Sequence, residues 1–208
     1  GRLDLRRMLR RAGVRGSEAL LPLFAAPRLR TPPLVVLCDV SGSMEAYARV
    51  FLHFLYALVS EGDRVNAFLF GTRLTNVTRL LRNRDPDYAI ARVGASVQDW
   101  SGGTRIGESL TAFNRRWARR VLGQNATVLL CTDGLDRAGG QQVGEAARRL
   151  RASSRRLIWL NPLLRYDGYE TLASGARELA RHIPDMRACH NLESIAGLAK
   201  ALSGTPPR

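Results

Sequence analysis

The sequence predicts an α/β domain whose central sheet is mostly parallel, with one antiparallel edge strand and helices on both faces. Three observations lead there. Short continuous apolar runs rich in β-branched residues, PLVVLCD (33 to 39), RVNAFLFG (64 to 71), ATVLLCTD (126 to 133) and RRLIWLN (155 to 161), read as strands buried on both sides. Segments with helical periodicity separate them, and such alternation builds a sheet between helical layers. The length of 208 residues allows one large core but seldom two.

Residues 1 to 32 form a basic arm, expected to be helical, and a linker bearing Pro27, Pro32 and Pro33; the domain proper occupies 33 to 208. After the first strand, Tyr47, Val50, Phe51, Phe54, Leu55 and Leu58 make one apolar helical stripe that ends at EGD (61 to 63). TRLTNVTRLL (72 to 81) alternates as a hairpin partner of the second strand, which supplies the antiparallel edge. A helix opens after Asp85 with Pro86 in its first position and runs to 97. The glycine-rich loop QDWSGGTR (98 to 105) follows, then a helix marked by Ile106, Leu110, Phe113, Trp117 and Val121. Beyond the strand at 126 to 133, helices are expected over 140 to 152, near 169 to 180 and over 191 to 202, with strands at 155 to 161 and near 186 to 190.

Composition narrows the function. Apolar residues make up 45% and charged residues 24%, as in globular proteins, and no apolar run approaches the roughly 18 residues of a membrane span. ALLPLFAAP (19 to 27) is short, interrupted by Pro22 and preceded by Asp4 and Glu18, so it is not read as an export signal; a cytoplasmic location is expected. Cys38, Cys131 and Cys189 lack metal-type spacing and are expected as buried free thiols. The net charge of +14 raises the question of nucleic acid. Nearly all of it is arginine, since Lys200 is the only lysine, and the pairs recur at helical intervals with no interleaved aromatics, which favours solvated helix faces or an acidic protein partner.

The chemistry concentrates where strands end. LCDVSGSM (37 to 44) places Asp39, Ser41 and Ser43 at alternate positions in a loop leaving a buried strand, so that three oxygens can converge on one point. They suit a hard cation such as Mg²⁺ (or Mn²⁺), which takes about six oxygens in an octahedron and usually keeps several waters. Thr104 from the glycine-rich loop and Asp133 at the end of a second strand would join them if the two strands are neighbours where strand order reverses. Two carboxylates face the ion and the other donors are neutral hydroxyls, so the ion is under-neutralised if either carboxylate reaches it only through water, with room for a partner's Asp or Glu on the open position. Trp100, Arg105 and Asp136 border these loops and are the candidate partner contacts. Trp100 fits an interface anchor or a ring packed against the sheet, and Arg105 fits a steering charge or a solvated first-turn residue.

DVSGS, GGT and TDG, in that order and at strand ends, resemble the metal-ion-dependent adhesion site of von Willebrand factor A (VWA) domains, whose fold is Rossmann-like. The elements matched are Asp39, Ser41, Ser43, Thr104 and Asp133. LVVLCDVSGSMEAYARVFLHFLYAL, FGTRLTNVTRLL, DWSGGTRIGESLTAFNRRW and LIWLNPL are similar to the CoxE-like subfamily over about residues 33 to 202. The resemblance implies a non-enzymatic accessory factor that acts with a MoxR-type AAA+ ATPase in maturation of a metalloenzyme client such as molybdenum-containing carbon monoxide dehydrogenase. An RNA-binding VWA protein using its arginine surface is the alternative.

Enzymatic readings fare worse. His53, His182 and His190 lie away from the loops, which leaves Ser41 and Ser43 without a base. A haloacid-dehalogenase-type phosphatase needs a second aspartate where Ser41 stands. Neither GxxxxGK[ST] nor GxGxxG occurs, so any ATP chemistry belongs to a partner.

Overall fold

The structure is a computed structural model, and it describes residues 2–3, 24–25, 32–97, 103–123 and 125–189. The chain divides into two compact units, Gly1–Thr31 and Pro32–Arg208. In the first, strands β1 (Arg2–Leu3) and β2 (Phe24–Ala25) pair antiparallel, Arg2 opposite Ala25 and Leu3 opposite Phe24. These four residues are therefore extended where a helical arm is expected. The helix expected over 191 to 202 lies outside the described residues.

The second unit is built on a six-stranded sheet of β3 (Leu34–Asp39), β4 (Val65–Phe70), β5 (Leu74–Asn76), β6 (Thr127–Cys131), β7 (Arg156–Asn161) and β8 (Met186–Ala188). Its order is β5-β4-β3-β6-β7-β8, parallel throughout except for the edge strand β5. The chain winds outwards from β3 in one direction to β4, then returns to lay β6 on the other side. Strand order thus reverses between β3 and β6, which run in register from Leu34 opposite Thr127 to Cys38 opposite Cys131. Crevices for ligands form beyond the carboxyl ends of strands at such a point. Asp39 closes β3 there, and Asp133 follows β6 by two residues.

Both faces of the sheet are buried, which is why its strands read as unbroken apolar runs and not as alternation. One face takes Val36, Cys38, Ala67, Leu69, Leu129, Cys131, Ile158 and Leu160 under helix α1 (Glu45–Glu61), which contributes Phe51, Leu55 and Val59. The other takes Val35, Leu37, Phe68, Phe70, Val128, Leu130 and Trp159 under α4 (Ile106–Arg116), α6 (Gly140–Ser153) and α7 (Ser174–His182). All three cysteines are free and buried; burial raises the Cys131 thiol well above its ordinary range and pushes Cys189 up to about 12, so neither is a reactive thiolate. Among the described residues no helix is long and apolar enough to cross a membrane.

Three elements depart from expectation for identifiable reasons. The segment 72 to 81 is a hairpin partner only over β5; the Asn76 side chain then accepts from Thr78 N at 3.0 Å and turns the chain into α2 (Thr78–Leu81). Helix α3 (Pro86–Ser96) is capped as expected, with Asp85 accepting from Tyr88 N at 3.1 Å. The helix expected from Ile106 to Val121 breaks at Trp117, separating α4 from α5 (Ala118–Val121), and the Trp117 ring packs edge-on to Phe68 with centroids 5.2 Å apart. Helix α7 starts at Ser174, five residues later than 169: Ala173 is extended (φ −65, ψ 143), so Leu172, although spaced helically from Ala176, Leu179 and Ile183, stands 75% exposed outside the helix.

Candidate metal centre

Everything in the centre hangs on loops stitched to strand ends. β3 hands over to a loop whose first backbone amide is held on the sheet by Val40 N donating to Phe70 O at 2.9 Å. Asp39 then folds back on its own loop, its Oδ1 accepting from Ser41 N at 2.9 Å, an Asx turn that points the next side chains the same way. The Ser41 and Ser43 hydroxyls end 3.2 Å apart. The 3₁₀ turn Gly42–Met44 leads straight into α1, so the serines sit at the sheet end of the longest described helix.

Thr104 is fixed from two sides. Arg105 N donates to Gly71 O, just beyond β4, and Arg137 N donates to Thr104 O, both at 3.0 Å. Gly103, at φ +80, is the approach to it: a Cβ there would stand 2.7 Å from Arg137 Nε, so only glycine lets the arginine side chain lie across the loop. Asp133 is almost fully buried, its Oδ1 accepting from Leu135 N at 2.9 Å. Ser41, Ser43, Thr104, Leu135, Asp136 and Arg137 line one cleft of about 300 Å³. The structure thus brings Ser41, Ser43 and Thr104 to one cleft walled by the loop after β6, while the buried Asp39 and Asp133 are not among its lining residues.

Sequence reasoning missed Thr132. Its hydroxyl donates to Asp39 Oδ2 at 2.7 Å and accepts from Gly134 N at 3.1 Å, tying the β3 carboxylate to the β6 loop. The signal was its place between Cys131, the last residue of β6, and Asp133. Asp39 is completely buried, and burial pushes its carboxyl from an ordinary 3.8 up to about 7; the hydrogen bonds from Ser41 and Thr132 lower it, and the nearby Asp133 charge raises it. Two carboxylates this close in a low-dielectric site are costly when both ionised, unless a cation lies between them.

Among the described residues no group of three His, Cys, Asp or Glu converges, so a metal here would depend on hydroxyl oxygens. The donors fit a hard divalent ion. Two oxygens on neighbouring corners of an octahedron with bonds of about 2.1 Å lie about 3 Å apart, close to the separation of the two serine hydroxyls.

Of the expected partner contacts, Trp100 lies outside the described residues. Arg105 is about half exposed and pairs with Glu108 at 3.3 Å. Asp136 borders the cleft with both oxygens in use: Oδ1 accepts from Ile106 N at 2.6 Å and from Gly107 N at 3.4 Å, and Oδ2 from Ala138 N at 3.1 Å. It therefore caps α4 from a distant loop, where the local N-cap position, Arg105, offers no side-chain acceptor. Asp136→Ala is expected to cost about 1 kcal/mol in urea unfolding, and Asp136→Asn, which keeps one oxygen as acceptor for Ile106 N but loses the acceptor for Ala138 N, less than that.

Oxygen donors gathered in strand-end loops at the switch point of an open, mostly parallel sheet define a VWA-type domain with a metal-ion-dependent adhesion motif. The model for VWA domain containing CoxE-like proteins matches residues 1–195, and the chain belongs to that family. The match starts at residue 1 and so takes in the arm as well as residues 33 to 195. No curated protein matches the chain. Among solved structures, proximal thread matrix protein 1 from the mussel byssus, in a form with a zinc-occupied MIDAS motif, is 18% identical with a TM-score of 0.55, covering 83% of this chain and 47% of that one. BatB from Bacteroides thetaiotaomicron is 17% identical with a TM-score of 0.55, covering 83% of this chain and 97% of that one. A von Willebrand factor type A protein from Catenulispora acidiphila is 16% identical with a TM-score of 0.55, covering 83% and 42%. The chain spans about half the length of the mussel protein, and at these identities the likeness is one of fold.

Proposed function

We propose that the chain is a non-enzymatic, metal-dependent protein-binding module. Asp39, Ser41, Ser43, Thr104 and Asp133 would hold a divalent ion, Mg²⁺ or Mn²⁺, and an acidic side chain of a partner would complete its coordination. The observation that carries this is the buried Asp39 carboxylate, bound by Ser41 and Thr132 beside two hydroxyls at octahedral spacing. Bound there, the ion supplies an open positive position that an anionic oxygen can occupy. The proposed role is to act with a MoxR-type AAA+ ATPase in maturation or metal-centre assembly of a metalloenzyme, such as molybdenum-containing carbon monoxide dehydrogenase; membership of the CoxE-like family supports this reading. Among the described residues His53 stands exposed on α1 and His182 lies beside Glu178 on α7, which gives the serines no general base.

The test is capture of the host's MoxR-type ATPase on immobilised protein with Mg²⁺ and with chelator. Capture is expected only with the metal and is expected to vanish in Asp39→Ala; equal capture by that variant would reject docking through the ion. RNA binding is supported by one feature, a groove of about 560 Å³ between α4 and α6 lined by Arg115, Arg148 and Arg149. An oligonucleotide arm of the same experiment decides it. RNA retained in chelator and released steeply between low and physiological salt would replace the metal-docking reading.

A further inference from the structure

Beyond the cleft, the rim carries a second anchor that metal coordination does not use. The 3₁₀ turn Pro162–Arg165 follows β7 and brings the Arg165 guanidinium over the ring of Tyr47, 5.2 Å from its centroid. Tyr47 lies in the first turn of α1, four residues beyond Ser43. The guanidinium also stands over the Tyr166 ring at 4.4 Å, and it donates to the Tyr166 hydroxyl. An exposed arginine normally loses much rotamer freedom when it binds; here two rings already hold the plane of the fork, which lowers that cost. Among the described residues no carboxylate pairs with it, although Asp167 and Glu170 are close in sequence.

The apolar exposure lies on the same end of the domain. Of the four large hydrophobic side chains that are exposed among the described residues, Leu135, Tyr166 and Leu172 belong to the loops after β6 and β7. Leu135 lines the metal cleft together with Ala173, the neighbour of Leu172. Tyrosine and arginine around exposed apolar residues are what interface centres are made of. The chain's net charge of +14 selects an acidic occupant.

We propose that Arg165, held by contacts with the Tyr47 and Tyr166 rings, is the second anchor for an acidic partner segment. One carboxylate of that segment completes the metal, an apolar side chain rests on Leu135 and Leu172, and a second carboxylate pairs with Arg165. This rests on the metal-docking reading above and adds to it a requirement for two acids.

The test selects short random peptides displayed on phage against the full chain loaded with Mg²⁺, eluting with EDTA. Peptides eluted from the wild type are expected to carry two acids flanking an apolar residue, and those from Arg165→Ala only one. A selected two-acid peptide should bind Arg165→Ala about tenfold more weakly and Tyr166→Ala several-fold more weakly. Once the second acid is changed to glutamine, the wild type and Arg165→Ala should bind it equally. An unchanged acid count, or an Arg165→Ala loss that persists with the glutamine peptide, overturns the second anchor and leaves metal docking standing. Absence of any EDTA-eluted peptide overturns both.

Discussion

Chelator-treated Asp39→Asn protein is expected to unfold at a higher temperature than the wild type at pH 8, and to gain nothing from Mg²⁺. The argument runs through the buried carboxyl, which titrates near pH 7 in the folded chain and near its ordinary 3.8 when unfolded. Between those values the folded state holds a proton that the unfolded state has released, so stability falls as pH rises through this window. It is fully present below about pH 4 and flat again above pH 7. Three pH units correspond to about 4 kcal/mol lost by the metal-free wild type.

Asparagine removes the charge and keeps Oδ1 as acceptor for Ser41 N. Its amide now faces the Thr132 hydroxyl, which must turn from donor to acceptor while still receiving Gly134 N, so part of the gain is returned. A net gain of about 2 kcal/mol is expected at pH 8 and none at pH 4, equivalent to a shift of several degrees for a chain of this length. In the wild type, Mg²⁺ at about a hundred times its dissociation constant restores about 2.7 kcal/mol. That response should weaken below pH 7, where the ion must displace a proton. The measurement is thermal unfolding by circular dichroism of both proteins, with EDTA and with Mg²⁺, across this pH range. Parallel pH profiles, or an equal response to Mg²⁺, would show that Asp39 is not the ion's carboxylate.

How much of this was legible in the sequence depends on how local the cause is. The strands β3, β4, β6 and β7 announce themselves because burial on both faces needs unbroken apolar runs. Asp39, Ser41 and Ser43 are legible because a single Asx turn aligns them within one loop. That Asp39 and Asp133 end at one place was conditional on β3 and β6 being neighbours, and the register of Cys38 with Cys131 meets that condition. What could not be read is long-range. Thr132 matters through a hydrogen bond to a residue 93 positions away, and Asp136 through one to an amide 30 positions away. The start of α7 was misplaced because the sequence of 169 to 173 does not reveal that Leu172 faces solvent. Nor does Arg165 betray its contacts with two rings, only one of which is its neighbour in the chain.

Those long-range contacts make the centre sensitive to a residue that touches no ligand. Gly175 lies in the first turn of α7, where alanine would ordinarily favour the helix by about 1 kcal/mol. Here its Cβ would stand 2.5 Å from Gly134 O and 3.0 Å from Asp136 Cβ. The nearest atom is backbone, so it cannot swing aside, and the 134 to 136 loop must move. From the opposite side Gly134, at φ +83, already lies so close that its own Cβ would fall 2.8 Å from Ala176 Cβ. Displacing this loop pulls on Asp133 directly and withdraws the Asp136 cap from Ile106, two residues after Thr104. Gly175→Ala is therefore expected to cost about 2 to 3 kcal/mol in urea unfolding and to weaken Mg²⁺ or Mn²⁺ binding at least tenfold by titration calorimetry. Gly94→Ala in α3, where a Cβ meets nothing within 4 Å, should instead stabilise by about 0.5 to 1 kcal/mol and leave metal binding alone. If Gly175→Ala behaved like Gly94→Ala, the close seating of the Asp133 loop on α7 would not be what holds the second carboxylate at the cleft.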